Sequence, residues 1–301
     1  MQIKSKHNLK ISLFIICCIL LFAFSTSQQN YKLSSPDKTY SLPPTLNEIS
    51  GITILNNNEV ACVQDELGII YIYDLKEGKI SKEYKTNLIG DYEGIALVGN
   101  TIYLLRSDGV LIEYPDYRSP NMKIKEYFLN LPSLNNEGLC YDMENYRLLI
   151  AAKIKPGKEI ENQNMRYIYS FDLKTKTPNN IPIIKLNVKD LETAALKFNI
   201  PIQYHTVKKT GQKIAVFNFR PSEIAVHPID RNIYILSSND KLLLMIDKSG
   251  GIKNLIKLDP MVFNKPEGLA FLSDGTMLIS NEAQKGKPTL LLFRYDYSKS
   301  K

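Results

Sequence analysis

Five glutamates recur along the chain at nearly constant spacing, and their type and number make them the first candidates for chemistry. They are Glu48, Glu93, Glu137, Glu223 and Glu267. Three of the four intervals between them are 44 or 45 residues long, and the fourth is 86. Carboxylates that lie close together repel one another, so they need a bound cation, hydrogen-bond donors or protons. The set therefore predicts either a cation site or a series of caps on buried backbone N–H groups.

The stretches between the glutamates predict the structure that positions them. Each contains three or four short apolar or alternating runs separated by turns, and helical periodicity is nearly absent. An internal period of this length in a strand-rich chain is typical of propeller blades. We therefore predict an all-β fold, a β-propeller of five blades, with six blades as the alternative.

Two parts of the chain depart from the repeat. The long interval is predicted to hold an insertion at about 189–220, with one short helix and at most two strands; a degenerate sixth blade is the alternative. The last repeat lacks one strand, and the segment at 31–42 is predicted to supply it as the outer strand of the last blade. Such closure gives every blade a neighbour on both faces. Residues 31–297 then form a single domain.

Polar loops between the second and third strands of each repeat are predicted to open on the same face as the glutamates. Their candidate ligand-binding residues are Asp65, Glu66, Arg106, Asp108, Lys153, Asn239, Asn281 and Glu282. Carboxylate and amide oxygens suit Ca²⁺ better than zinc, whose histidine and cysteine ligands are not clustered here. We therefore predict Ca²⁺ at the five glutamates. Arg106 and Lys153 either neutralise neighbouring glutamates or hold an anionic ligand.

The N-terminus and the charge indicate export rather than nucleic-acid binding. Three lysines precede an apolar run at 11–24, followed by small residues, which is the form of a secretory signal. Residues 1–27 are thus predicted to be a signal peptide, or alternatively an uncleaved anchor that attaches the protein to a membrane. Removing them takes away three lysines and no acid, so the formal net charge falls from +7 to +4. The remaining lysines are scattered, which predicts no nucleic-acid partner and fits a monomer.

Several segments resemble the SdiA-regulated (YjiK-like) family. They include glutamates followed by small residues, as in Asn136-Glu137-Gly138-Leu139, and polar loops such as Arg106-Ser107-Asp108-Gly109. They lie at 48–52, 63–68, 90–95, 106–109, 136–142, 221–225, 227–228, 266–269 and 280–282. The resemblance implies a β-propeller distantly similar to NHL-repeat proteins, located in the periplasm, outside the cell or at the cell membrane. It also implies a bound calcium and no established activity.

Two functions remain open from the sequence. One is a calcium-binding module that recognises an unknown protein or envelope ligand, with no catalytic residue. The alternative is a metal-dependent hydrolase of the phosphoesterase or lactonase type, in which a carboxylate of the ring activates water. The sequence favours binding, because it has no serine-nucleophile motif and neither His205 nor His227 is placed as a base.

Overall fold

The computed structural model describes residues 30–86, 88–119, 123–154, 157, 163–284 and 286–299. Five four-stranded antiparallel sheets follow one another along these residues, and their first strands lie side by side around an axis. The five-bladed propeller predicted from the sequence is therefore confirmed. The predicted signal peptide or anchor at 1–27 lies outside the described residues.

The strands follow the glutamate period. Strand β1 (Lys38–Ser41) comes first. The first blade contains β2 (Ile49–Asn56), β3 (Glu59–Gln64), β4 (Ile69–Asp74) and β5 (Lys79–Lys85). The second contains β6 (Tyr92–Val98), β7 (Thr101–Arg106), β8 (Val110–Tyr114) and β9 (Lys125–Phe128). The third contains β10 (Asn136–Asp142), β11 (Arg147–Ala152), β12 (Met165–Asp172) and β13 (Thr177–Asn187).

The insertion comes next, with helix α1 (Val188–Lys197) and the hairpin β14 (Gln203–Thr206) and β15 (Lys213–Val216). The fourth blade contains β16 (Glu223–Val226), β17 (Ile233–Ser237), β18 (Leu242–Ile246) and β19 (Ile252–Lys257). The fifth contains β20 (Pro266–Phe271), β21 (Met277–Asn281) and β22 (Thr289–Phe293). Short 3₁₀ turns lie at Pro44–Leu46 and Tyr297–Lys299.

The ring closes as predicted. Strand β1 pairs antiparallel with β22, with Lys38 opposite Leu292 and Ser41 opposite Thr289. The last sheet therefore has the strand order β1-β22-β21-β20, and its outer strand comes from the start of the domain. Closure buries both faces of every blade, and the apolar clusters of the described chain lie between neighbouring sheets.

Glycines allow the first strands of neighbouring blades to approach closely. A Cβ at Gly94 would lie 2.7 Å from Leu139 Cβ, and one at Gly138 would lie 2.7 Å from Ile224 N. No larger residue fits these distances without moving the backbone, so the repeat glycines are packing residues first. Close approach of the inner strands also narrows the channel that they surround.

The insertion is a helix and a hairpin, not a sixth blade. Asn187 caps α1 by accepting a hydrogen bond from Lys189 N at 3.0 Å, and Leu191 and Ala195 are buried against the third and fourth blades. Among the described strands, β14 and β15 pair only with each other. In the part of the chain that the structure describes, no helix is long and apolar enough to cross a membrane.

Candidate functional site

One end of the propeller collects the repeat glutamates, and we call it the glutamate face. It consists of the starts of β2, β6, β10, β16 and β20, the connectors that lead into them, and the loops between the second and third strands of each blade. The other end, where the first and second strands of each blade are joined, is the opposite face. The glutamate face therefore brings together side chains from all five repeats.

β-Bulges place three of the glutamates. The register shifts between Tyr92 and Gly94, between Asn136 and Gly138, and between Pro266 and Leu269, so an extra residue enters each strand where its glutamate lies. A bulge turns a side chain away from the regular alternation of a strand. The side chains of these three glutamates therefore do not follow the alternation between sheet faces that the rest of each strand shows.

Four glutamates form a carboxylate ring, which we define as Glu93, Glu137, Glu223 and Glu267. Burial, followed by the charges of Glu137 and Asp91, raises the pKa of Glu93 to about 9. Burial, followed by the charge of Glu282, raises the pKa of Glu267 to about 7. Burial, with the neighbouring acidic groups, therefore favours the protonated forms of Glu93 and Glu267.

Lys153 is the counter-ion of the ring. Its Nζ lies 3.0 Å from both carboxylate oxygens of Glu137, which is almost fully buried. Burial lowers the pKa of Lys153, but the charge and hydrogen bonds of Glu137 outweigh it, so the pKa is raised. The ammonium also feels the charges of Glu267 and Glu93. The hydrogen bonds of Lys153 therefore go to one carboxylate of the ring, while its charge acts on three of them.

Glu223 is the most deeply buried member of the ring. Its Oε1 accepts hydrogen bonds from Leu139 N of the neighbouring blade at 2.9 Å and from Ile224 N at 3.0 Å. This is the backbone cap that the sequence offers as an alternative explanation. Oε2 is buried without a partner, and burial raises the pKa of the carboxyl well above its usual value. One oxygen of Glu223 therefore has a structural role, whereas the other has no hydrogen-bond partner among the described residues.

Unsatisfied polar atoms are concentrated on the glutamate face. Every buried side-chain nitrogen or oxygen that lacks a hydrogen-bond partner in the described part of the chain belongs to this face. Besides Glu223 Oε2 they include Asn136 Oδ1 and Asn281 Oδ1, from residues that are almost fully buried. Leaving such an atom unpaired costs about 1–3 kcal/mol. Their concentration on one face favours a site that a ligand completes.

The structure does not bring Glu48 into the ring. In the first blade the bulge falls between Ile49 and Ile52, after the glutamate rather than at it, and Glu48 is exposed. Its charge acts instead on Asp65, whose pKa is raised to about 6 by burial and then by Glu48 and Glu282. Glu48 therefore belongs to an outer group of acidic residues.

The other predicted ligand-binding residues surround the ring at different depths. Glu66, Asp108 and Asn239 are exposed. Arg106 forms a salt bridge of 2.5 Å with Asp108, so it neutralises an acidic neighbour, although that neighbour is an aspartate and not a repeat glutamate. Asn281 is buried, and its Nδ2 donates to Val262 O and to Thr289 Oγ1, both at 3.1 Å. Glu282 pairs with Lys265.

The sequence reasoning missed Asp91 and Lys265, which act directly on the ring. Asp91 raises the pKa of Glu93 and of Glu137, and Lys265 lies 3.8 Å from Glu267. Both residues occur two positions before a repeat glutamate. The repeats have no common residue at that position, so their comparison gives no signal for Asp91 or Lys265.

The ring fits calcium by the chemistry of its donors. Its carboxylate oxygens are hard ligands of the kind that Ca²⁺ takes, and Glu223 Oε2 has no competing partner. Among the described residues, however, no three histidine, cysteine, aspartate or glutamate side chains already stand in the arrangement of a metal site. Lys153 binds Glu137 at 3.0 Å, whereas Lys265 is 3.8 Å from Glu267 and closer to Glu282, so an ion would have Glu93, Glu223 and Glu267 as its first candidate ligands.

Comparisons with known proteins agree with this architecture. The family model described as SdiA-regulated matches residues 23–285. A search of curated proteins finds no match. Among solved structures, the chain is similar to a glutaminyl cyclase from Myxococcus xanthus, with a TM-score of 0.58 and 15% identity over 87% of this chain and 96% of that one.

A second similar structure is a virginiamycin B lyase from Staphylococcus aureus with quinupristin. It has a TM-score of 0.43 and 16% identity, over 85% of this chain and 74% of that one. A nidogen/laminin complex gives a TM-score of 0.48 and 11% identity, over 77% of this chain and 72% of that one. At such identities the similarity concerns the propeller fold and not the chemistry.

Proposed function

The chain belongs to the SdiA-regulated family, and from its glutamate face we propose that it is a binding module whose carboxylate ring takes a cation, with Ca²⁺ as the ion. The observation that carries this proposal is the concentration of unpartnered buried polar atoms on that face, Glu223 Oε2 above all. Buried polar groups normally have partners, so a face that lacks them is best explained by a bound ligand.

Electrostatics supports a cation rather than an anion. The charges of Glu137 and Asp91 add to the raised pKa of Glu93, and the charge of Glu267 adds to that of Glu223. A bound cation would favour the ionised forms of these carboxyls and reverse the shifts. Ca²⁺ would supply positive charge and would order the ring, with Glu93, Glu223 and Glu267 as ligands.

The location belongs to the same proposal. Residues 1–27 have the composition of a secretory signal or anchor, so we place the protein in the periplasm, outside the cell or at the cell membrane. Fractionation of cells that express the full chain, with N-terminal sequencing of the product, tests this. Recovery of the intact chain in the cytoplasm would contradict it.

Thermal unfolding with and without calcium tests the cation. A ligand that binds only the folded state adds about 2.7 kcal/mol of stability at 100 times its Kd. For a chain of this size, that raises the Tm by about 5–10 °C. We expect EDTA to lower the Tm and excess CaCl₂ to restore it. An unchanged Tm would overturn the calcium proposal.

Glu93→Gln is the sharpest variant for this test. Because the pKa of Glu93 is about 9, its carboxyl is protonated at neutral pH without an ion, and glutamine resembles that form. The variant should keep the Tm measured in EDTA and lose most of the calcium response. Glu66→Gln is the matched control, since Glu66 is an exposed carboxylate on the same face, and it should respond as the wild type does.

The metal-dependent hydrolase has one observation in its favour. Glu93 and Glu267 lie in one ring with pKa values of about 9 and about 7, and such pairs of differently protonated carboxyls occur in acid–base catalysis. A screen of phosphate esters and lactones, with and without Ca²⁺, decides between the functions. Metal-dependent turnover that Glu267→Gln abolishes would establish the enzyme, and its absence leaves the binding module.

A further inference from the structure

Large apolar side chains stand exposed around the carboxylate ring. Ile89 is 92% exposed and Met261 is 91% exposed, and both lie in connectors that lead to repeat glutamates. Leu134, in the connector before Glu137, is 67% exposed, and Leu67 is 47% exposed. We call these four residues the apolar rim. Single exposed leucines are ordinary, but three of the five connectors of this face and one of its loops carry such a side chain, which is typical of an interaction surface.

Hydrogen bonds hold the rim residues in place. Tyr92 Oη donates to Leu88 O at 2.9 Å, which fixes the residue before Ile89. Met261 N donates to Asp259 Oδ1 at 2.9 Å. Ser133, next to Leu134, is buried with its Oγ 2.8 Å from Tyr169 Oη. A partner would thus meet a preorganised surface and would lose little entropy in ordering it.

A groove of 330 Å³ opens beside Met261 on the fifth blade. Asn281 lines it, and this almost fully buried residue has an Oδ1 without a hydrogen-bond partner. The Nδ2 of Asn281 already donates to Val262 O and Thr289 Oγ1, so its orientation is fixed. The groove therefore adds a concave stretch with both apolar and polar walls to the rim, where an extended chain can lie.

The exposed acidic side chains around the rim favour a partner with basic side chains. Glu48, Glu66, Asp91 and Asp108 are exposed acidic residues of the glutamate face. Asp65 is joined to Glu48 by a backbone hydrogen bond of 3.3 Å, and burial, followed by the charges of Glu48, Glu282 and Glu66, raises its pKa to about 6. Lysine or arginine side chains, with apolar stems and cationic ends, complement such a surface.

We propose that the glutamate face docks an extended segment of a partner protein in which apolar residues alternate with lysine or arginine. The apolar side chains lie on the rim and the basic side chains meet the exposed carboxylates. This inference rests on the proposed function, because it names the class of ligand for the same face. The ring below the rim stays available for the cation.

A labelled nine-residue peptide of alternating valine and lysine is the probe, and fluorescence anisotropy with the full domain measures its binding. One control peptide replaces each valine by serine and keeps the charge, and a second replaces each lysine by glutamate and keeps the apolar residues. We expect saturable binding of the first peptide. Both controls should bind at least tenfold more weakly, because a tenfold change in Kd is about what the burial of one apolar side chain contributes. Equal binding of the serine peptide would overturn the proposal.

Matched variants locate the surface. Met261→Ser should weaken binding roughly tenfold, whereas Met143→Ser, an exposed methionine on the opposite face, should leave it unchanged. Glu66→Lys should weaken it roughly threefold, and Glu77→Lys on the opposite face should not. Equal effects from both members of either pair would overturn the proposal.

Two further outcomes separate this inference from the proposed function. No peptide binding by a protein whose Tm still responds to calcium would overturn the docking surface alone. Peptide binding without any calcium response would overturn the cation alone. Self-association of the protein that the peptide does not displace would assign the rim to a second copy of this chain, and the docking proposal would be wrong.

Discussion

The two ends of the propeller treat buried polar groups in opposite ways. On the opposite face, fully buried His227 has its Nε2 2.7 Å from Tyr31 Oη, which in turn donates to Gly275 O at 2.5 Å. Its Nδ1 accepts from Asp230 N at 3.1 Å, and Asp230 also accepts from Tyr234 Oη at 3.2 Å. Both ring nitrogens of His227 therefore have partners within the protein.

The glutamate face leaves comparable groups without partners. Glu223 Oε2 and Asn281 Oδ1 are as well buried as the His227 ring, yet nothing in the described protein bonds to them. A buried polar group that the fold satisfies stabilises the fold, and one that the fold leaves unsatisfied costs stability and marks a site. The comparison indicates a structural role for the opposite face and supports the binding role that we propose for the glutamate face.

Removal of His227 should have the largest effect on stability. His227→Ala leaves a cavity and removes one of the two hydrogen-bond partners of Tyr31, which packs the start of the domain against the fourth and fifth blades. We expect the free energy of unfolding to fall by about 4 kcal/mol, measured by urea denaturation. Tyr31→Phe, which removes only the hydroxyl, should cost about 1 kcal/mol. A loss below 1 kcal/mol in the alanine variant would mean that the network is not structural.

The glutamate face should make stability depend on pH. The folded pKa of Glu267, about 7, lies above its unfolded value, so the folded state binds this proton more tightly. Stability is therefore highest below the unfolded pKa and falls as the pH rises from about 4.5 to 7. We expect Glu267 alone to account for a loss of roughly 2.5 kcal/mol over that range in EDTA, and the other buried carboxyls to add to it.

Glu267→Gln should flatten this profile without abolishing it, because Glu93 and Glu223 also have raised pKa values. Urea denaturation at a series of pH values measures the slope. Glu77→Gln, an exposed carboxylate of the opposite face, is the control and should keep the wild-type slope. If stability depended on pH in Glu267→Gln as it does in the wild type, Glu267 would not be one of the carboxyls whose pKa is raised by folding.

Replacement of Lys153 should have the smallest of the three effects. Lys153→Met leaves Glu137 buried without its counter-ion, but Lys153 is partly exposed and the carboxyl can take up a proton. We expect a loss of about 1 kcal/mol at pH 7.5 and less at pH 5. The double variant with Glu137→Gln should recover most of the loss. If the pair were unimportant, the single and double variants would unfold alike.

The fold was predictable because its signals are local and repeated. The glutamate period gave the number of blades, and the unpaired segment at 31–42 gave the closure, since an incomplete last repeat needs an outer strand. The helix and hairpin of the insertion follow from the missing glutamate in the long interval. These features depend on periodicity and on the need to cover every apolar face.

The site was predictable only in part, because it depends on shifts of a single residue. The period placed all five glutamates alike, yet a bulge lies at Glu93, Glu137 and Glu267, and in the first blade it falls after Glu48. Sequence alternation carries no sign of where a bulge enters a strand. The pairing of Lys153 with Glu137 joins neighbouring elements of one blade, but the choice of that carboxylate among four depends on packing.

Amide chemical shifts measured by NMR during a calcium titration test the central comparison most directly. The N–H groups of Leu139 and Ile224 donate to Glu223, and those of Asp230 and Asn232 belong to the His227 network. We predict saturable shifts at Leu139 and Ile224, with Asp230 and Asn232 unchanged. Shifts of equal size in both networks, or none at Leu139 and Ile224, would contradict the assignment of a cation to the carboxylate ring.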